Sequence, residues 1–132
     1  MNTQILLIPL LLFFSLLAGC GLETKTLPDF YEKNLDDITK IQILDGSTGY
    51  KKVIRDKKVI DEFLGEIKEI RFIPEENQED RNGFRYSIAF FQGDEKTFSF
   101  SLNKVKENYY FTEPDIHPIV DDFYKNLEVQ EE

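Results

Sequence analysis

The sequence predicts an α+β domain, an antiparallel sheet of about five strands with two helices on one face, in the order β-β-α-β-β-β-α. Three observations lead to this fold class. Two segments alternate apolar and polar residues with the period of two that is typical of a half-buried strand. Two other segments carry apolar stripes at helical spacing, and each stripe needs an apolar surface to cover it. The strands are grouped along the chain, which favours antiparallel pairing and a sheet with one open face.

The first predicted strand is Thr39–Leu44, in which Ile41 and Ile43 alternate with polar neighbours. A cluster of turn-forming residues at Asp45–Gly49 follows it. The second strand is predicted over Tyr50–Asp56, so that the two strands form a hairpin.

Two helices are predicted, Lys57–Ile70 and Asp115–Leu127. Asp56 is a suitable N-cap for the first, because a carboxylate can accept hydrogen bonds from the free N–H groups of the first turn. Pro118 lies in the first turn of the second, where no intrahelical hydrogen bond is lost. The apolar stripes are Val59, Ile60, Phe63, Leu64, Ile67 and Ile70 in the first helix, and Ile116, Ile119, Val120, Phe123, Tyr124 and Leu127 in the second.

The clearest strand alternation lies in Phe84–Phe91 and Thr97–Leu102. If the two segments form a hairpin, both apolar rows must face the same side, because a slip of one residue would expose a whole row. This condition predicts the pairs Phe90 with Phe98, Ile88 with Phe100, and Tyr86 with Leu102. It also predicts a loop with an odd number of residues around Gly93–Glu95, and so excludes a two-residue turn.

The remaining segments give weaker patterns. Ile70–Ile73 is expected to be a short extended segment before Pro74, since a residue that precedes proline avoids the α region. Glu75–Gly83 is expected to be a polar loop. Val105, Tyr109, Tyr110 and Phe111 predict a further strand, and a turn within it at Glu107-Asn108 is the alternative to a continuous strand. The acidic end of the chain, Val129–Glu132, is expected to fray.

The N-terminal segment has the features of a secretory leader. Thirteen of its first nineteen residues are hydrophobic and none is charged. The apolar run Ile5–Leu17 is shorter than the ~20 residues that a membrane-spanning helix needs. A short apolar run that ends in small residues is typical of a signal peptide.

The motif Leu17-Ala18-Gly19-Cys20 resembles the lipobox of bacterial lipoproteins, an aliphatic residue and two small residues followed by the cysteine that receives the lipid. The resemblance implies cleavage before Cys20 and a thioether-linked diacylglycerol on its sulfur. The protein would then be anchored by lipid to the extracytoplasmic side of the cell membrane. The alternative is a buried structural cysteine after a hydrophobic core helix.

These features divide the chain into three parts. Residues 1–19 form the predicted signal peptide, residues 20–37 the lipidated cysteine and a tether, and residues 38–132 a single α+β domain. The tether is expected because Gly21, Pro28 and their polar neighbours break any regular period. An N-terminal segment packed on the core is the alternative.

Composition argues against several classes of function. The formal net charge of −9 opposes nucleic-acid binding, which needs basic patches to neutralise phosphate. One cysteine excludes an internal disulfide framework. His117 is the only histidine, and no G-x-S-x-G motif accompanies it, so no nucleophilic catalytic set is predicted. The acids Glu75, Glu76, Glu79 and Asp80 are interpreted as a solvated loop rather than a metal site, and no cofactor is expected.

The open face of the sheet is the candidate binding surface. Phe91 would be an exposed aromatic of the kind enriched at protein interfaces. The alternative is an ordinary solvated face rich in strand-forming residues. The predicted binding face comprises Arg85, Ser87, Phe91, Thr97, Ser99 and Ser101.

Residues 38–127 resemble the small α+β lipoproteins of Bacillus-type Firmicutes in size, in their Lys/Glu/Ile-rich composition and in the order KIQILDGSTG, RYSIAFFQ, FSFSL, DDFYKNL. Some lipoproteins of this kind act as exclusion or immunity factors encoded on conjugative elements. The resemblance therefore implies a membrane-anchored, non-enzymatic domain with a protein partner in the envelope. The alternative is a small envelope enzyme that uses acidic residues.

Overall fold

The computed structural model describes residues 21–132, and the predicted signal peptide, its cleavage motif Leu17–Gly19 and Cys20 lie outside these residues. The described chain forms a seven-stranded antiparallel sheet with three α-helices, which confirms the α+β class and corrects the predicted five strands and two helices. Within residues 21–132, no helix has both the length and the apolar composition needed to cross a bilayer.

The helices are α1 (Leu27–Phe30), α2 (Lys57–Ile67) and α3 (Ile116–Asn126), with a 3₁₀ turn at Leu35–Asp37. The strands are β1 (Lys40–Asp45), β2 (Lys51–Ile54), β3 (Arg71–Pro74), β4 (Tyr86–Gln92), β5 (Glu95–Ser101), β6 (Lys104–Val105) and β7 (Asn108–Glu113).

The strand order across the sheet is β2-β1-β4-β5-β6-β7-β3. Helix α2 follows β2 at one edge and precedes β3 at the other, so it carries the chain across the whole sheet. The segment that was predicted only as extended is therefore an edge strand, in which Phe72 lies opposite Thr112 of β7.

The predicted register of the central hairpin is confirmed. Phe90 lies opposite Phe98 and Ile88 lies opposite Phe100, so both apolar rows face the core. Alternation restricted the pairing to registers in which both apolar rows face the same side, because a slip of one residue would expose a whole row.

The predicted loop of this hairpin is wrong. Gln92 pairs with Glu95, which leaves Gly93 and Asp94 as a two-residue turn. Gly93 has a φ of +61°, and the first central position of such a turn favours glycine. A β-bulge in the hairpin leaves Thr97 as the extra residue, and this residue restores the predicted register beyond the turn.

The first long helix begins where the sequence predicted, the second begins one residue later, and both end earlier. Asp56 caps α2, and its Oδ1 accepts a hydrogen bond of 3.0 Å from the backbone N–H of Lys58. Asp115 caps α3 in the same way, at 3.1 Å from the N–H of His117. The helices end at Ile67 and Asn126, and their buried residues belong to the predicted stripes.

Residues 20–37 were predicted to form a tether, but from Lys25 onward the chain belongs to the fold. Lys25 exchanges two backbone hydrogen bonds with Phe72, at 2.9 and 2.7 Å, and so extends the sheet beyond β3. Leu27, Phe30 and Tyr31 of the next turn are all buried. Folding therefore begins well before residue 38.

The aromatic residues of this N-terminal segment pack on the sheet. The Phe30 ring meets Phe72 and Tyr110 edge-on, at centroid distances of 5.6 and 5.4 Å. The Tyr31 ring meets Phe90 and Phe98, at 5.8 and 5.9 Å. These contacts place α1 and the residue that follows it on the apolar face of the sheet, over β3 and β7 and over the central strands β4 and β5.

The acidic end of the chain is also ordered rather than frayed. Glu132 and Lys51 exchange backbone hydrogen bonds of 2.9 and 3.2 Å along the edge of β2. The neighbouring Lys52 is buried, and its ammonium donates to the carbonyls of Tyr124 and Leu127, at 2.7 and 2.9 Å. A buried cation is tolerated here because it caps the negative end of α3.

Leu27→Ala tests whether α1 is part of the core. Leu27 is fully buried, so its truncation is expected to lower the free energy of unfolding of residues 21–132 by ~2–5 kcal/mol. The half-exposed Leu22 is the control, and Leu22→Ala should change the free energy of unfolding by less than ~0.5 kcal/mol. Urea denaturation measures both, and equal values for the two variants would contradict the packed segment.

Candidate functional site

Three residues of the predicted binding face do lie together. Ser87 is opposite Ser101, and Ser99 is opposite Ala89, on the side of β4 and β5 that faces away from Ile88 and its row. Their hydroxyls are small, and Ser87 donates to the carbonyl of Phe100 at 3.4 Å. This part of the sheet therefore has few protruding side chains that a protein partner could contact.

The other three predicted residues have different surroundings. Phe91 is half-buried, and the ammonium of Lys40 lies 4.1 Å from its ring centroid. The bulge turns Thr97 toward Tyr31, and their hydroxyls lie 2.7 Å apart. Arg85 reaches α3, as described below. The structure therefore does not bring the six residues into one surface.

The acidic loop between β3 and β4 is attached to the sheet rather than solvated throughout. The amide of Gln78 bonds both backbone groups of Tyr109, at 2.9 and 2.8 Å, as a strand residue would. The Arg81 guanidinium lies 4.5 Å from the Tyr109 ring centroid and 2.7 Å from Glu75 Oε2. Among residues 21–132, no group of three or more His, Cys, Asp or Glu is arranged to hold a metal ion.

A pocket of about 450 Å³ lies where the end of this loop meets β7 and the first turn of α3. Two large aromatic side chains in its lining are unusually exposed, Phe84 at 41% and Phe111 at 46%. We call it the aromatic pocket. Its lining is Glu75, Phe84, Arg85, Leu102, Asn103, Tyr110, Phe111, Thr112, Asp115, Ile116 and His117.

Sequence reasoning did not identify this pocket. Phe84 was expected in the buried row of β4, but it lies ahead of the strand, which begins at Tyr86. Phe111 carried a usable signal, because it ends the run Tyr109-Tyr110-Phe111. Successive side chains of a strand point to opposite faces, so such a run must present aromatics on both.

A close approach by Gly46 positions Phe84. A Cβ atom at Gly46 would lie 2.1 Å from the carbonyl oxygen of Phe84, so only glycine fits there. The N–H of Gly46 donates to the carbonyl of Arg85 at 2.7 Å. The turn after β1 therefore fixes the position of the backbone at Phe84, the first aromatic residue of the pocket.

Arg85 is fixed by a group of charged side chains that joins β1, β4 and α3. Its guanidinium contacts Asp45 Oδ1 and lies 3.3 Å from Asp121 Oδ1. The buried hydroxyl of Tyr86 donates to the same Asp121 oxygen at 2.6 Å. Lys125 Nζ lies 2.8 Å from the other Asp121 oxygen. We call these five residues the Asp121 cluster.

The electrostatics of the Asp121 cluster keep it charged and balanced. Burial alone would raise the pKa of Asp45, but two hydrogen bonds from Ser47 and the charge of Arg85 outweigh it and lower that pKa. Hydrogen bonds from Lys125 and Tyr86 lower the pKa of Asp121. Burial, followed by the bond to Asp121, raises the pKa of Tyr86. At neutral pH two carboxylates therefore face two cations around a neutral phenol, which is the arrangement of a structural brace.

His117 lies in the lining of the aromatic pocket, 6.1 Å from the Tyr86 ring centroid. Within the described part of the chain, its imidazole makes no hydrogen bond that would orient it as a general base. The pocket is therefore lined by apolar, polar and charged side chains, including that of His117.

Acidification should weaken the stabilising interactions of the Asp121 cluster. The pKa of Asp45 is lowered in the fold from its ordinary value of 3.8, so its ionised form stabilises the fold above that value. This stabilisation is lost as the pH falls through the lowered pKa. Asp45→Asn should have a lower free energy of unfolding than the unaltered chain at about pH 7. Its free energy of unfolding should also fall less than that of the unaltered chain between about pH 5 and pH 2. Urea denaturation across this range measures both effects.

The exposed turn residue Asp94 supplies the control for this titration. Asp94→Asn should follow the pH profile of the unaltered chain. If Asp45→Asn also followed it, the ionised Asp45 would not stabilise the fold.

Comparison of the chain with protein-family models gave no match, and neither curated proteins nor solved structures showed significant similarity.

Proposed function

We propose that the chain is a lipid-anchored, extracytoplasmic protein that binds another protein of the envelope and carries out no catalysis. The observation that carries the proposal is the Leu17-Ala18-Gly19-Cys20 motif at the end of an apolar leader. Each buried CH₂ of an acyl chain contributes ~0.8 kcal/mol, so the two chains of a diacylglycerol make a stable anchor. The domain then needs no membrane-binding surface of its own.

The short interval between Cys20 and the fold restricts where such a domain can act. Only residues 21–24 separate Cys20 from Lys25, the first residue that pairs with the sheet. An extended residue spans at most ~3.6 Å, so the five steps from the Cα of Cys20 to the Cα of Lys25 reach roughly 18 Å. A lipidated Cys20 would hold the domain beside the headgroups, and its partner would have to lie close to the membrane surface.

The aromatic pocket is the surface best suited to a protein partner. Exposed aromatic side chains in a concave site, bordered by polar groups, are characteristic of residues that dominate binding energy at interfaces. Gly46 and the Asp121 cluster hold Phe84 and Arg85 in place before any partner arrives. Such preorganisation lowers the entropy cost of association.

The anchor is tested on the full chain expressed in a bacterial host. Mass spectrometry of the membrane fraction should find a product that begins at Cys20 and carries a diacylglycerol. Cys20→Ala should remove both the lipid mass and the cleavage, while His117→Ala should leave both unchanged. An intact, unmodified leader on the unaltered protein would refute the lipid anchor.

The pocket is tested with a photoactivatable amino acid placed at Phe111 in the same membranes. Crosslinking to one partner is expected at this position, and Phe84→Ser should reduce its yield at least about tenfold, since an aromatic anchor contributes ~2 kcal/mol or more and ~1.4 kcal/mol already corresponds to a factor of ten. The matched control carries the photoactivatable group at Ser99 on the sheet face. Equal yields from Ser99 would assign binding to that face instead.

A further inference from the structure

A second concave surface lies between α2 and α3. It is a groove of about 700 Å³ that shares no lining residue with the aromatic pocket. The Phe63 and Phe123 rings, with centroids 4.6 Å apart, hold the two helices together beneath it. The apolar floor is formed by Val59, Ile119, Phe123 and Leu127, which pack against the core and yet stay only half-buried.

The rim of this groove is acidic. Glu62 and Glu66 border it on α2, and Asp122 and Glu128 border it on the other side. No lysine or arginine is among the residues that line it. Within residues 21–132, none of the four carboxylates belongs to an ion pair, whereas neighbouring Asp121 is held by Lys125. The groove therefore combines unburied apolar area with uncompensated negative charge.

We infer that this groove binds a cationic amphipathic helix of another protein. An apolar stripe on the helix would cover the floor, and lysine or arginine side chains on both flanks would meet the rim carboxylates. Such binding of one helix face in a hydrophobic groove is a recurrent mode of peptide recognition. The inference goes beyond the proposed function, because it needs neither the lipid anchor nor the aromatic pocket.

The spacing of the floor residues suits a helix. Ile119, Phe123 and Leu127 follow one another at intervals of four along α3 and its end, so they form a line about 12 Å long. On α2, Glu62 and Glu66 are also four residues apart and face the same groove. A third helix that packs on both at the usual 8–10 Å would present about two turns to this surface.

The negative charge of the groove favours a cationic helix over two other occupants, a second copy of the chain and an anionic lipid surface. A second copy of the chain, with a net charge of −9, would bring acids against acids. An anionic lipid surface would be repelled for the same reason. A cationic helix gains from both features of the groove, the apolar floor and the unpaired rim.

The binding test uses the full-length chain in nanodiscs of zwitterionic lipid. The probe is a fluorescein-labelled synthetic helix of about 18 residues, with leucine and lysine arranged to give one apolar stripe flanked by lysines. A second peptide of the same composition, scrambled so that no stripe forms, is the control for charge alone. Fluorescence anisotropy, corrected for empty nanodiscs, should show the striped peptide binding at least about tenfold more tightly. Equal affinity of the two peptides would overturn the inference.

Matched double variants locate the site. Glu62→Gln with Glu66→Gln should weaken binding of the striped peptide about tenfold, as expected for the loss of two partly desolvated ion pairs. Glu76→Gln with Glu95→Gln removes the same charge from exposed positions elsewhere and should change the affinity less than about twofold. Equal weakening by the two pairs would mean that the peptide responds only to net charge, and would refute the groove.

An apolar variant tests the floor. Ile119→Ser should weaken the striped peptide and leave any residual binding of the scrambled peptide unchanged. Thermal denaturation confirms that each variant is folded, and the methyl resonances of Val59 and Leu127 should shift when the striped peptide is added. Peptide-induced shifts confined to residues outside the groove, or self-association of the chain through it, would assign this surface a different role.

Discussion

The need to cover one apolar sheet face governs the rest of this structure. Seven strands at ~4.8 Å spacing make a sheet about 29 Å wide, whereas two helices side by side cover only about 20 Å. Helices α2 and α3 cannot therefore bury the whole face. Phe30 and Tyr31 cover what remains, since they pack on Phe72, Tyr110 and Phe90. The N-terminal segment is ordered because the sheet is wide.

This constraint explains which parts of the fold could be predicted. Alternation in β4 and β5 correctly predicted which residues face each other, because a slip of one residue would expose phenylalanines. The same reasoning predicted a loop with an odd number of residues, and this was wrong. A β-bulge at Thr97 accommodates one extra residue in β5 at small energetic cost. The Thr97 hydroxyl donates to the Phe90 carbonyl and contacts the Tyr31 hydroxyl. Such tertiary compensation leaves no pattern in the local sequence.

The burial of helix α1 could not be predicted from the sequence. The helix has four residues, too few for a helical period to be measured, and its burial depends on the width of the sheet, which the sequence did not reveal.

The candidate site was less predictable than the fold. The aromatic pocket depends on Gly46 approaching Phe84, two residues that are distant in sequence. Arg85 was assigned to the open face by parity, but opposite charges on two other elements, Asp45 and Asp121, draw it to α3.

The same long-range pairings shape the charge that the surface presents. Lys52, Arg81 and Arg85 each bond or contact groups of the fold itself, so these cations do little to offset acids elsewhere. Along the groove between α2 and α3, Glu62, Glu66, Asp122 and Glu128 have no ion-pair partner within residues 21–132, so their charge is not offset locally. With a Debye length of ~8 Å at physiological salt, charges interact strongly only with what lies close to them. For a domain held beside the bilayer by a lipidated Cys20, headgroups would influence the acids nearest the attachment, and the acids of the groove would act on whichever protein segment enters it.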